Sequence, residues 1–316
     1  MAAQRILECP NCNGAGFKYK RQSKEFLTCP SCKGTGFVAP NSQTRGITAA
    51  SGLGIQPQDT TTAPGKIAHD YIEFGRKQFR EGNYDGAVAY YQKAIKSNPK
   101  NHFAYYNLGL AYEQMGQTDQ AEKAYQNAIT LRPDFPWTYN NLAALSFSLE
   151  RYQEASEYAE KAVRSDPSLP NPYFIKGNIL YSRKKFDEAF SYYKTALEKD
   201  SDFFPALVQA GLSKLYLDDS ASSIKYLKKA VKTVPSNAIA WNYLAVAYRK
   251  NDQLDEAEKS ILKSLSLFPD NCMLLETLAR IYVRMDEKQK AKRILAKIKA
   301  IDASYKVGND LQEEFT

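Results

Sequence analysis

The chain has 316 residues, a net charge of +8, 43% hydrophobic and 12% aromatic side chains, which excludes a disordered polyelectrolyte and suits one extended array plus something small. No apolar run approaches roughly 18 residues, so no membrane span is expected. The opening MAAQRILECPNC lacks the apolar core of a signal peptide, so a reducing, cytoplasmic setting is the expectation.

The first informative stretch is residues 9–37. Cys9-Pro10-Asn11-Cys12-Asn13-Gly14-Ala15-Gly16-Phe17 is echoed by Cys29-Pro30-Ser31-Cys32-Lys33-Gly34-Thr35-Gly36-Phe37. Two CxxC pairs sixteen residues apart have metal-ligand spacing. Four thiolates complete a closed tetrahedral site, so one structural zinc ion held by Cys9, Cys12, Cys29 and Cys32 is expected. Such a site is formally −2, and Lys18, Lys20, Arg21, Lys24 and Lys33 stand near it in sequence to offset that charge. Paired disulfides are disfavoured by the missing secretory signal. A redox CxxC is disfavoured by the second matched pair, while thiolate sites also accept iron. The repeated CxxCxGxG resembles the cysteine-rich zinc module of the DnaJ (Hsp40) family. Only half of that module is present, and no J domain accompanies it, so recruitment of an Hsp70 is not implied. The resemblance implies a zinc fold with a role in contacting proteins.

Residues 38–67 are rich in Gly, Ser, Thr, Pro and Ala and read as a flexible linker. From residue 68 the pattern changes. In 102–135, Tyr105, Leu108, Gly109 and Tyr112 form one helical stripe, a turn follows at Met115-Gly116-Gln117, and Ala121, Ala124, Tyr125 and Ala128 form a second stripe before Pro133. This is a helix hairpin that cannot bury its stripes alone. The pattern returns every 34 residues, and seven units tile residues 68–305, starting at Ala68, His102, Pro136, Pro170, Phe204, Ala238 and Cys272. The period and content resemble the tetratricopeptide repeat (TPR) family. That resemblance implies an all-α fold, a right-handed superhelical solenoid of seven helix-turn-helix units, whose first helices line a concave groove. Non-enzymatic binding of a partner protein segment, as a scaffold or co-chaperone-like adaptor, is then the expected function.

Within each unit the fourth, seventh, eighth and eleventh positions are packing, and the second, fifth, ninth and twelfth lie on another stripe. With the neighbouring sixth position, that stripe supplies the candidate partner-binding residues Phe103, Tyr106, Asn107, Trp137, Asn140, Asn141, Phe174 and Asn178. Asparagines there are similar to the amide ladder with which some superhelical family members hold a peptide backbone. The carboxylate clamp of other members is missing, with Ile72 and Arg76 in its place. No catalytic constellation stands out, and the lone Cys272 reads as a buried small residue.

Residues 1–40 carry six basic and two acidic side chains, and 272–305 carry eight against four. This charge supports an alternative function, a nucleic-acid-associated factor touching RNA or DNA through the basic zinc module. The last helix keeps Ile294, Leu295, Ile298 and Ile301 apolar. The tail 306–316, with Val307, Leu311 and Phe315, is therefore expected to fold back over it or to leave a face for self-association.

Overall fold

The structure, a computed structural model, describes residues 17–20, 25–28, 63–308 and 311. The expected zinc ligands Cys9, Cys12, Cys29 and Cys32 lie outside these residues, as does most of the expected linker. Strands β1 (Phe17–Lys20) and β2 (Glu25–Thr28) pair antiparallel, with Phe17 opposite Thr28 and Lys20 opposite Glu25. At four residues each, they are too short to announce themselves by periodicity.

The described remainder contains fourteen α-helices in seven hairpins. They are α1 (Ala63–Arg80) with α2 (Tyr84–Ser97), α3 (His102–Gln114) with α4 (Thr118–Leu131), and α5 (Pro136–Ser148) with α6 (Tyr152–Ser165). Then come α7 (Pro170–Ser182) with α8 (Phe186–Lys199), and α9 (Phe204–Tyr216) with α10 (Ser220–Thr233). The last two are α11 (Ala238–Lys250) with α12 (Leu254–Leu267), and α13 (Cys272–Arg284) with α14 (Lys288–Ile301). From the third helix onward every first helix starts on the first residue of its expected 34-residue unit.

Residues 63–176 form one compact unit, and residues 177–308 belong to a second, the boundary falling inside α7. In the first unit α2 packs on α3, α4 packs on α5, and α1 touches α3 directly. In the second unit α8 packs on α9, α10 on α11 and α12 on α13, while α11 touches both α9 and α13.

The join inside each hairpin is made at two positions. The eighth residue of the first helix faces the twenty-fourth residue of the unit, on the second. Where the former is glycine, the latter brings a large side chain against bare backbone. A Cβ built on Gly75, Gly109 or Gly177 would lie 2.5 Å from the ring of Tyr91, Tyr125 or Tyr193, and one on Gly211 would lie 2.6 Å from Leu227. The third unit solves the same problem with two small residues, Ala143 and Ala159, both without accessible surface. Alanines at the twentieth position (87, 121, 155, 189, 257 and 291) are likewise fully enclosed, and Ser223 takes their place in the fifth unit.

The turn between the two helices has one left-handed residue, at the fifteenth position of every unit. The first two units use Gly82 (φ 77°) and Gly116 (φ 73°), and the other five use Glu150, Lys184, Asp218, Asp252 and Asp286, all with φ between 56° and 61°. An L-residue there costs about 1–2 kcal/mol relative to its preferred basins. Asp218 and Asp252 also pair with Lys250 (2.9 Å) and Arg284 (2.7 Å) of the next unit, both at the surface.

Two boundaries differ from expectation. The stretch 38–67 is helical from Ala63, because a helix needs no donor at its first positions and so tolerates a proline there. Beyond α14 the described residues 305–308 turn back onto α13, a partner the expectation did not name. Tyr305 Oη donates to Glu276 Oε2 at 2.8 Å, the Gly308 N–H donates to Glu276 Oε1 at 3.1 Å, and Leu311 is 3% exposed.

Two stability measurements check these constraints. Gly109→Ala forces a methyl into the Tyr125 ring and should destabilise the chain by about 1–3 kcal/mol in denaturant melts, as overpacking does. Lys184→Gly relieves an exposed left-handed turn and should stabilise by about 0.5–1 kcal/mol once the extra freedom of the unfolded glycine is counted.

Candidate functional site

The site is best defined in the first compact unit, on the stripe that carries the second, fifth, ninth and twelfth positions of α1, α3 and α5. Its lower half is closed. The residue before α5 is Phe135, which cannot cap a helix with its side chain, and Pro136 fixes the first turn instead. Phe135 turns inward and meets Phe103 and Tyr106 edge-on, both at 5.3 Å between ring centres. Leu169 stands at the equivalent place before α7 and is buried.

Most of the residues expected to face a partner are therefore inside. Phe103, Tyr106, Asn107, Asn140, Asn141, Phe174 and Asn178 are all buried, and Trp137 is half-buried and packed against the same core. Their amides are engaged within the protein. Asn107 Nδ2 donates to Phe103 O of its own helix at 2.7 Å. Asn171 Nδ2 donates to Asn140 Oδ1 at 2.8 Å, and Asn140 Nδ2 donates to Asn141 Oδ1 at 3.2 Å. In the second unit Asn178 Oδ1 accepts from Tyr193 at 2.8 Å. The expectation that these side chains form an open surface is corrected: Phe135 packs on Phe103 and Tyr106, and the amides bond within the protein. Cys272 is buried, as its lone position suggested, and burial raises its thiol pKa.

The upper half of the stripe differs. Tyr125 of α4 runs under Gly109 of α3, so its hydroxyl emerges on the inner side of the first helix. There it donates to Glu113 Oε2 at 2.8 Å and accepts from Asn141 Nδ2 at 3.4 Å, which also donates to Tyr106 Oη at 3.4 Å. Glu113 is at the twelfth position of its unit and keeps some accessible surface. Burial pushes its carboxyl up to about 7, and the Tyr125 hydrogen bond only partly opposes this. Its neighbours in the row are aromatic. Phe79, the twelfth residue of the first unit, packs on Tyr84 at 5.3 Å, and Phe147, the twelfth of the third, packs on Tyr152 at 5.7 Å. Both are half-buried. Arg76 is bound to Glu73 at 2.6 Å, and no ion pair reaches Glu113 among the described residues. Glu113 and Phe79 were not singled out from sequence. The twelfth positions of the first four units, Phe79, Glu113, Phe147 and Tyr181, carry the signal: one carboxylate among three rings.

Family profiles now give the repeats their name. Tetratricopeptide repeat profiles match residues 102–135 and, separately, 141–202 and 208–271, and a TPR repeat profile matches 75–116. The chain carries tetratricopeptide repeats. Among solved TPR-like structures, PilF of Pseudomonas aeruginosa is 21% identical, with a TM-score of 0.59 over 67% of this chain and 97% of that one. The type IV pilus biogenesis factor PilW is 22% identical, with a TM-score of 0.59 over 68% and 98%. A chain of the APC/C hetero-tetramer Cut9-Hcn1 is 17% identical, with a TM-score of 0.61 over 84% of this chain and 51% of that chain. These likenesses are of fold. No curated protein matches the sequence. Among the described residues no helix is long and apolar enough to cross a membrane.

The Glu113 carboxyl sets a pH dependence. Its folded pKa lies above its unfolded value of about 4.5, so its contribution is favourable below that value and is lost as pH rises through about 7. Glu113→Gln keeps an acceptor for Tyr125 without the charge. The variant should match the parent at pH 5 and exceed it at pH 8, by about 1 kcal/mol after allowing for solvent at the half-buried site, in melts at the two pH values.

Proposed function

We propose that the chain is a non-enzymatic scaffold whose TPR array binds a segment of a partner protein, with a small zinc module at its N-terminal end. The observation that carries the binding reading is the upper half of the inner stripe in the first unit. Phe79, Glu113, Gln114 and Phe147 form a mixed aromatic and polar row that the protein's own residues leave partly accessible, whereas the lower half is filled from within. A segment lying across α1, α3 and α5 would meet one such position per repeat. Aromatic anchors at such positions concentrate binding energy.

The zinc reading rests on donor chemistry and on the strand pair. Cys29 follows Thr28 directly in sequence, and Thr28 pairs with Phe17, five residues after Cys12. The pairing sets Phe17 and Thr28, the described residues that follow the first CxxC and precede the second in sequence, side by side, as one four-thiolate site would require. Cys9, Cys12, Cys29 and Cys32 would hold a single ion whose chemistry is structural, since four protein ligands leave no open position. Reduced protein should contain one zinc per chain by metal analysis, and chelation should leave the helical circular dichroism nearly unchanged.

The scaffold reading is tested by site-specific photo-crosslinking. A benzophenone side chain at position 79 or 147 should capture one and the same partner in cells, and a benzophenone at exposed Lys123 on α4 should not. Equal capture from all three positions would show that the inner stripe has no special role.

A further inference from the structure

Glu113 stands out among the first four repeats. At the twelfth position the first, third and fourth repeats carry Phe79, Phe147 and Tyr181, each packed on an aromatic at the seventeenth, Tyr84, Tyr152 and Phe186. The second repeat replaces this pair by Glu113 and Thr118. In repeat register a carboxylate is thus placed between two ring positions of neighbouring repeats.

The surroundings hold this carboxylate in place without neutralising it. Tyr125 of α4 donates to Oε2, and Asn141 of α5 braces both the Tyr125 and Tyr106 hydroxyls. From α1 the facing cations are Arg76, already bound to Glu73, and exposed Arg80; neither pairs with Glu113. A carboxylate that has lost much of its water and has no counter-ion is unfavourable by itself. It becomes favourable when a cation arrives, because much of its own desolvation has already been met in the folded chain. The half-buried Phe79 and Phe147 rings in the neighbouring repeats would add attraction for the same kind of charge, most of all for a planar guanidinium.

We propose that Glu113, flanked by Phe79 and Phe147, is a receiving site for one cationic side chain, lysine or arginine, of the bound partner segment. The proposal rests on the reading that the inner stripe of this unit binds such a segment, and it names the charge that the segment must carry. Glu113 supplies the counter-ion, Tyr125 and Asn141 orient it, and the rings select against an acidic residue at that place.

The test uses the full chain and a phage-displayed library of random dodecapeptides as the probe. Selection should enrich peptides with a lysine or arginine at one fixed place. For a selected peptide, replacing that residue by glutamine should weaken binding to the parent chain roughly tenfold, as desolvated charge pairs do. The Glu113→Gln chain, shown folded by its thermal melt, should bind both peptides alike, and the parent's preference should be larger at pH 8 than at pH 5. Enriched peptides without a fixed cation, or a preference unchanged by Glu113→Gln, would overturn this proposal and leave the scaffold reading standing. Failure to enrich any peptide that a Phe147→Ala chain binds less well would overturn the scaffold reading itself, and this proposal with it.

Discussion

The fold depends on how closely two helices can approach within one 34-residue unit. At the eighth position of the first helix there is room for a hydrogen or a methyl, and the side chain at the twenty-fourth position takes up what is left. Gly109 with Tyr125 and Ala143 with Ala159 are two solutions of one volume equation. Close packing makes the sum of the two side chains, not either residue, the quantity that is held fixed. The enclosed alanines at the twentieth position apply the same limit on the other side of the crossing. Stacking follows from it, since only a flat, tightly joined hairpin offers broad faces to its neighbours.

The same crossing generates the candidate site. A tyrosine that passes under a glycine carries its hydroxyl through to the far side of the first helix. Tyr125 does this and finds Glu113 and Asn141; Tyr193 does it and finds Asn178. The glycine therefore serves two ends, packing and the delivery of a polar group from the outer helix to the inner stripe. In the third repeat, where Ala159 is too short to reach, no such delivery occurs, and the inner stripe there is organised by asparagines on α5 itself.

Much of this architecture was legible in the sequence. The period, the starts of the first helices and the enclosed small residues follow from the spacing of Gly109, Ala121 and Ala128 and their 34-residue echoes. The inner stripe was legible as a stripe but not as open or closed. Whether Tyr106 meets solvent depends on Phe135, twenty-nine residues away, and a phenylalanine before a proline carries no local sign that it turns inward. The amides misled for a related reason. Asn107 and Asn141 have the chemistry to hold a peptide backbone, but a helix carbonyl and two tyrosine hydroxyls inside the protein use that chemistry first. The left-handed turns at Glu150 and Lys184 were invisible because nothing in those residue types asks for a positive φ.

Those turns have a consequence for how the chain tolerates insertion. Each is a one-residue device that reverses direction between two helices, and five of the seven are built from residues that resist the conformation. The helix packing on either side imposes it on them. An added residue would let such a turn relax into an ordinary basin, so lengthening is least costly at Glu150, Lys184 and Asp286 and most disruptive at Gly82 and Gly116, where the turn is already at rest. The loops best suited to accept a foreign segment are therefore the ones whose native geometry is hardest to hold.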